Sequence, residues 1–333
     1  MKIKVPDYFL KFKCVAENCK DNCCIGWDVK LDEKARSKCL SSSVFQAKDI
    51  SSFIIEVDGE SYIKMKSDGR CPFLTDNNLC SFICSGKEDH LSEICREHPR
   101  YYNVYSTLCE GGLGMCCEEA ARVMFDTSLP LKYVEYDDPE IIAPSTSLEL
   151  MDPGLLAEER EALEKSILGL SAKDVFRKIA KSTSYSFNRI SYKSAMEIIC
   201  SVYEKCDLLD SSHLKSIKEP EFDKTSFDHG CLVKIRGLTT IRVITYCLHR
   251  HFLDAVFDGC RDERLWLALL IDTIITLICY NEGVFEKEGI TLVAKDVTKS
   301  LEYSSGNIEM LLDYIAENPE LIDAIGSLYT EGE

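Results

Sequence analysis

Cys14, Cys19, Cys23 and Cys24 stand in the spacing C-x4-C-x3-C-C, followed by Ile25-Gly26-Trp27. Three further groups lie downstream: Arg70-Cys71-Pro72-Phe73-Leu74 with Cys80 close behind, Cys95-Arg96-Glu97-His98-Pro99-Arg100, and Cys116-Cys117-Glu118-Glu119-Ala120-Ala121-Arg122. Twelve of the 18 cysteines fall within the first 117 residues, a density that calls for a chemical reason. A chain of 333 residues does not need disulfides to be stable. Residues 1–7 carry no apolar stretch of a secretory signal, so the expected compartment is the reducing cytoplasm. There, clustered thiols read first as metal ligands or catalytic groups; disulfides and role-free buried thiols are the other two readings.

Thiolates select zinc or iron–sulfur clusters over hard cations. Zinc favours paired C-x2-4-C knuckles; here Cys14/Cys19 is C-x4-C and Cys19/Cys23 is C-x3-C, with no C-x2-C pair in the first half, an untypical pattern for a zinc ribbon. The C-x3-C-x2-C triplet of radical cofactor chemistry is absent, because Cys24 directly follows Cys23. A four-thiolate cluster drawn from several loops fits the pattern. The ligand candidates are Cys14, Cys19, Cys23, Cys24, Cys71, Cys80, Cys95 and Cys117. Eight thiols exceed one four-thiolate site, so either two sites exist or some of the eight are structural.

Arg70, Arg96, Arg100 and Arg122 each lie near a candidate ligand. Guanidinium groups could offset the charge of a thiolate cluster or hold a cofactor carboxylate, and Arg96 and Arg100 are the candidates for cofactor binding. The alternative is ordinary salt-bridged arginine. His98 is a weak ligand candidate; His249 and His251 are two apart on a helical pattern and face different ways. Gly111, Gly112 and Gly114 do not form a nucleotide loop and read as a flexible loop delivering Cys117. Cys39 and the six cysteines from Cys200 onward read as structural or core thiols.

The elements that must position these groups follow from pattern. Residues 32–40 read as a helix capped by Asp32. Residues 53–57 and 62–65 flank Asp58-Gly59 and read as a hairpin. A helical turn ends near Cys95, and a helix starts just after Cys117. Residues 126–153, with four prolines, read as a linker. Beyond them the pattern is helical: 155–168, 172–181, 194–206, 230–257, 262–282, 293–303 and 307–317. The expected fold is therefore mainly α, with a cysteine-rich region 1–125 holding a small β-hairpin and a bundle-like helical domain 154–333. The apolar run 265–280 carries Asp272 and reads as a buried helix rather than a membrane span. Net charge is −17, concentrated after residue 125, which argues against nucleic acid and suits a lysine-bearing partner, or solubility alone.

Taken together these groups resemble the flagellin lysine-N-methylase (FliB) family and, more loosely, cysteine-rich zinc- or iron-chelating proteins. The resemblance rests on Cys14, Cys19, Cys23-Cys24 with Gly26-Trp27, Cys71-Pro72-Phe73-Leu74, Cys80, Cys95, Pro99-Arg100 and Cys117-x-Glu119-Ala120-Ala121-Arg122, and covers residues 5–125. The chain departs from the family at His98, where a tyrosine is expected, and at Glu118, where a proline is expected. The resemblance implies methyl transfer from S-adenosylmethionine to lysine side chains of flagellin, with an iron–sulfur cluster (4Fe–4S, or zinc instead) in the enzyme. No glycine motif places the methyl donor and no residue is marked as the general base. The rival reading is a non-catalytic zinc- or iron-chelating module.

Overall fold

A computed structural model of the protein describes residues 2–26, 29–42, 50–57, 59–137, 148–209, 211–218 and 229–330. Trp27 of the first cysteine group, Asp58 of the hairpin turn and residues 138–147 of the proline-rich stretch lie outside them. The strands are β1 (Lys2–Pro6), β2 (Val29–Leu31), β3 (Ile54–Val57), β4 (Glu60–Ile63), β5 (Arg100–Val104), β6 (Cys109–Leu113) and β7 (Tyr133–Asp137). The first helices are α1 (Glu33–Leu40), α2 (Ser81–Cys84), α3 (Glu93–Glu97) and α4 (Glu118–Asp126). A long helical series follows: α5 (Pro153–Ile167), α6 (Ala172–Ser182), α7 (Tyr192–Lys205), α8 (Ser212–Lys218) and α9 (His229–His251). It ends with α10 (Ala255–Asp258), α11 (Arg261–Asn281), α12 (Lys287–Glu302), α13 (Ser305–Glu317) and α14 (Pro319–Tyr329). The fold is mainly α, as the helical periodicity predicts.

The chain divides into two compact units that interleave in sequence. The cysteine unit is Lys13–Tyr101 with Cys117–Glu119; the helical unit is Met1–Phe12, Tyr102–Cys116 and Ala120–Glu333.

In the cysteine unit β2, β4 and β3 form an antiparallel sheet in that order. The expected hairpin is present: Val57 pairs with Glu60, and Gly59 takes a positive φ of 82° that only glycine adopts freely. Val29, Leu31, Ala35, Cys39, Ile63, Cys71, Phe73, Leu74 and Phe82 make its core.

The helical unit is built on α11, whose residues from Arg264 to Asn281 are all buried. Each buried Leu or Ile there contributes about 1.5–3 kcal/mol, which is why the apolar run reads as a core helix. Helix α9 packs along α11, with α12, α13 and α14 on other sides, and α14 packs on α7. Starts are capped by side chains: Asp152 for α5 with Pro153 behind it, Ser171 for α6, Ser191 for α7. No helix among the described residues is long and apolar enough to cross a membrane.

Three expectations change. Helix 230–257 ends at His251 and continues as a 3-10 turn and α10, closed by Gly259 at φ 77°. Helices α8 and α14 go unpredicted by periodicity. Gly111 and Gly112 form no flexible loop: they lie in β6, a wholly buried strand that pairs in parallel with β1. β1 also pairs antiparallel with β7, which lies within the stretch 126–153, giving the sheet order β5-β6-β1-β7.

Candidate metal centre

All 18 cysteines are free thiols. The cysteine unit draws at least one cysteine from each of the first three groups to one core. Cys24, Cys80 and Cys95 are half-buried against the cluster that contains Cys71 and Cys39.

Backbone pairing explains the convergence. The Cys71 amide donates to the Cys24 carbonyl at 2.8 Å, Ile25 bridges to Arg70, and the Gly26 amide donates to Gly69 at 3.0 Å. Gly26 and Gly69 both hold positive φ, 89° and 75°, so this junction depends on glycine twice. The Asn22 side chain accepts from the Cys24 amide at 2.8 Å and donates to the Asn78 carbonyl at 3.2 Å. Arg70 donates to Asn78 Oδ1 at 2.7 Å and to the Thr75 carbonyl at 3.3 Å, so this guanidinium organises the loop after Cys71. Leu74 then bridges to Cys80, which starts α2.

Cys95 arrives on α3. Ser92 caps that helix, and its hydroxyl accepts from the Cys95 amide at 3.4 Å. Asp32 adds a second tie: one carboxylate oxygen caps α1 at Ala35 (2.8 Å) and the other accepts from the Glu93 amide (2.9 Å). A single aspartate thus ties the starts of two helices together.

The fourth group meets the first through Glu118. Its Oε2 accepts from the amides of Lys20 (2.9 Å) and Asp21 (3.1 Å) and stands 3.9 Å from the Cys19 thiol. Cys19 also donates to the Asp21 carbonyl. The Cys117 thiol acts electrostatically on Cys19. The thiols therefore fall into two sets: Cys23, Cys24, Cys71, Cys80 and Cys95, and beside Glu118, Cys19 with Cys117. Cys14 is exposed, with the Ala16 amide 3.4 Å from its sulfur.

The electrostatics mark the thiols of the first set as neighbours. Burial pushes Cys71 up to about 11 and Cys95 up to about 12, and each feels neighbouring thiols of the set: Cys80 for Cys71; Cys71, Cys23 and Cys80 for Cys95. Cys24 is raised mainly by its hydrogen bond with Cys23, then by burial, then by Cys71 and Cys95. Burial also raises Cys80, although the amides of Ile83 and Phe82 favour its thiolate. Lys66 is a cation that favours ionisation of Cys71. Cys19 is pushed up to about 11 by burial, with Glu118 and Cys117 adding to it.

Five converging thiols, without a hard oxygen ligand among them, fit a thiophilic metal or cluster in kind. Their side-chain positions do not close a site: among the described residues no three His, Cys, Asp or Glu side chains stand where they could hold one metal ion. Arg96 is exposed, with Nε 3.3 Å from Glu97 Oε1, and Arg100 is half-buried at the start of β5. Arg122 pairs with Asp126 at 2.9 Å. His98 is half-buried and precedes a cis proline.

Cys39, set apart from the motifs in the sequence, is buried against the same core and donates to the His90 carbonyl at 3.5 Å. Asp32, Asn22, Asn78 and Glu118 also position the site. Asp32 is legible as a cap; the other three act over sequence distances that no local pattern reveals.

No protein-family model matches the chain, and no solved structure matches it. Over 128 residues, 36% of this chain, it is 29% identical to proteins named lysine-N-methylase from Salmonella typhimurium and Salmonella choleraesuis. It is equally similar, 29% over 128 residues, to the flagellar biosynthetic protein FliU of Salmonella muenchen. The match covers 76% of FliU but 32% of each lysine-N-methylase, so the chain spans about a third of the length of those two relatives. Over that stretch the chain is similar to the FliB-like group of lysine-N-methylase and FliU proteins.

Proposed function

We infer that the protein is a lysine N-methylase that transfers methyl groups from S-adenosylmethionine to lysine side chains of flagellin, with a cysteine-ligated iron–sulfur cluster in its cysteine unit. The observation that carries this reading is the convergence of Cys23, Cys24, Cys71, Cys80 and Cys95 from three distant groups. The similarity to lysine-N-methylases supports it.

The thiols of that set would hold the cluster, with Cys14, Cys19 and Cys117 as the further candidates. Bound there, the cluster would supply a redox-capable centre and tie the loops of the unit together. Arg96 and Arg100 would grip the carboxylate of the methyl donor through paired N–H groups. In the transfer itself a neutral lysine amine attacks the sulfonium methyl carbon. The carbon–sulfur bond breaks, its electron pair stays on sulfur, S-adenosylhomocysteine leaves and the extra proton on nitrogen passes to a base.

Mass spectrometry of flagellin lysines from cells with and without the protein tests the reading. Methylated lysines are expected only when the protein is present, and identical masses with flagellin well expressed would overturn it. Arg100→Ala should abolish methylation while far-ultraviolet circular dichroism is unchanged.

The exposure of Cys14 and Cys23 favours a second reading, a metal-chelating module that passes on zinc or iron. Anaerobic purification with iron, sulfide and zinc assays separates the two. Iron and sulfide in equal amounts, lost in Cys71→Ser but kept in Cys279→Ser, support the cluster; zinc alone, readily removed by chelator, supports the module.

A further inference from the structure

The helical unit contains a cavity of about 170 Å³ between the Leu129–Tyr133 segment, α5 and α9. Its apolar wall is Leu129, Pro130, Leu131 and Leu168. Glu164 and Thr245 line it too, 7% and 4% exposed, and Glu164 Oε1 and Thr245 Oγ1 have no hydrogen-bond partner among the described residues. The second oxygen of Glu164 accepts from the Tyr133 hydroxyl at 3.1 Å.

Among the buried groups at this end the charge does not balance. Arg160, fully buried, gives both terminal nitrogens to Glu110, one of them at 2.8 Å, and leaves only Nε near Glu164 Oε1, at 3.6 Å. Glu161 is paired with Lys4 and, at 3.6 Å, with Lys165. His249 stands 3.8 Å from Glu110, and burial followed by Arg160 lowers it to about 4, so it adds no charge at neutral pH. One guanidinium thus faces two buried carboxylates, Glu110 and Glu164. A hard metal ion would need six or more oxygens, which this pocket does not offer. The volume is below the ~300–1,000 Å³ typical of nucleoside-sized ligands. An ammonium brings three donors and one positive charge on an apolar stem.

We propose that this cavity binds a primary alkylammonium, its stem on Leu129, Pro130, Leu131 and Leu168 and its N–H groups donating to Glu164 Oε1 and Thr245 Oγ1. The ammonium can come from a lysine side chain or from a free alkylamine. The proposal stands independently of the methylation reading, because binding needs neither cluster nor methyl donor.

Burial raises Glu164 to about 7, opposed by Arg160 and the Tyr133 hydroxyl and assisted by Glu110 and Glu161. Tyr8 also faces it, with Lys4, Lys165 and His249 completing the ionisable surroundings. An alkylammonium stays charged to about pH 10, so its affinity follows ionisation of Glu164 and should tighten about tenfold between pH 6 and pH 8.

The experiment titrates n-butylammonium, n-butanol and Nα-acetyl-lysine amide into the full chain by calorimetry and methyl NMR. Saturable butylammonium binding is expected, with butanol at least tenfold weaker. Glu164→Gln should weaken binding at least tenfold and flatten its pH dependence. Leu168→Trp, which fills the cavity and keeps the carboxylate, should do the same to affinity, so a folding defect in one variant cannot decide the matter. Glu197→Gln, elsewhere on α7, should leave affinity unchanged. Binding of the lysine amide as tight as butylammonium assigns the site to protein lysines; its exclusion assigns the site to free amines. Absence of saturable binding, equal binding of butanol, or binding indifferent to both variants overturns the proposal.

Discussion

Asp32 shows how much one side chain can decide. Its carboxylate holds the first turns of α1 and α3 together. Burial opposes its ionisation, but the amides of Ala35 and Glu93 and the charge of Arg96 outweigh that and hold it below the usual carboxylate range. A depressed carboxylate contributes stability above its ordinary pKa of about 4 and loses it as pH falls through the lowered value. Asp32→Ala should cost about 1–3 kcal/mol, the range for losing one to two caps, measured by urea unfolding. Asp32→Asn, which keeps an acceptor without the charge, should lessen the acid sensitivity that the parent shows below pH 4. Equal acid sensitivity in both would assign it to another carboxylate.

At the scale of elements, two junctions in the helical unit are open to the same treatment. His213 on α8 sits between Glu282, at 2.9 Å, and Asp296 of α12, at 3.7 Å. The interaction with Asp296 outweighs burial, and with Glu282 it raises the imidazole to about 9. A raised histidine contributes fully below its unfolded pKa of about 6.5 and loses that contribution as pH rises through 9. The melting temperature should therefore fall between pH 6.5 and 9.5, and His213→Gln should flatten that slope, with an effect on the order of 1–3 kcal/mol. The second junction is Gly326, where α14 passes the Phe176–Phe187 pair. A Cβ there would lie 2.6 Å from Phe187 and 2.7 Å from Phe176. Phe176 is fully buried, and the two rings meet edge to face with centroids 5.0 Å apart. Gly326→Ala should destabilise by about 1–3 kcal/mol through overpacking. No loss in thermal unfolding would mean that Phe187 yields freely.

For the whole molecule, the interleaved units give a prediction about where a metal acts. A thiophilic ion that binds the folded thiol set stabilises what it binds, by about 2.7 kcal/mol at a hundredfold excess over its dissociation constant. Adding Cd²⁺ or Zn²⁺ to reduced protein should slow amide exchange in residues 59–101 and leave α11 and α14 unchanged. Protection spread evenly over both units would contradict metal binding confined to the cysteine unit. Butylammonium should do the reverse, protecting α5 and β7.

The sequence by itself determined the helical character, the capped start of α1, the hairpin, and the buried nature of α11. Each is a local property: a period of 3.6, an Asp before an apolar-periodic run, an Asp-Gly between strands, and apolar residues on every face. The four cysteine groups were legible for the same reason, since residue type and spacing are written in the chain. Their division into two sets was not. It depends on Glu118 reaching the amides of residues 20 and 21, and on the backbone of Cys71 pairing with that of Cys24. Gly111 and Gly112 read as a loop because glycine has no side chain to announce a strand; only pairing with β1 makes β6 a core strand. The cluster of Glu110, Arg160, Glu164 and His249 was equally invisible. Its members come from β6, α5 and α9, and a charge is buried or exposed according to which elements close over it, a decision made by packing between segments distant in the chain.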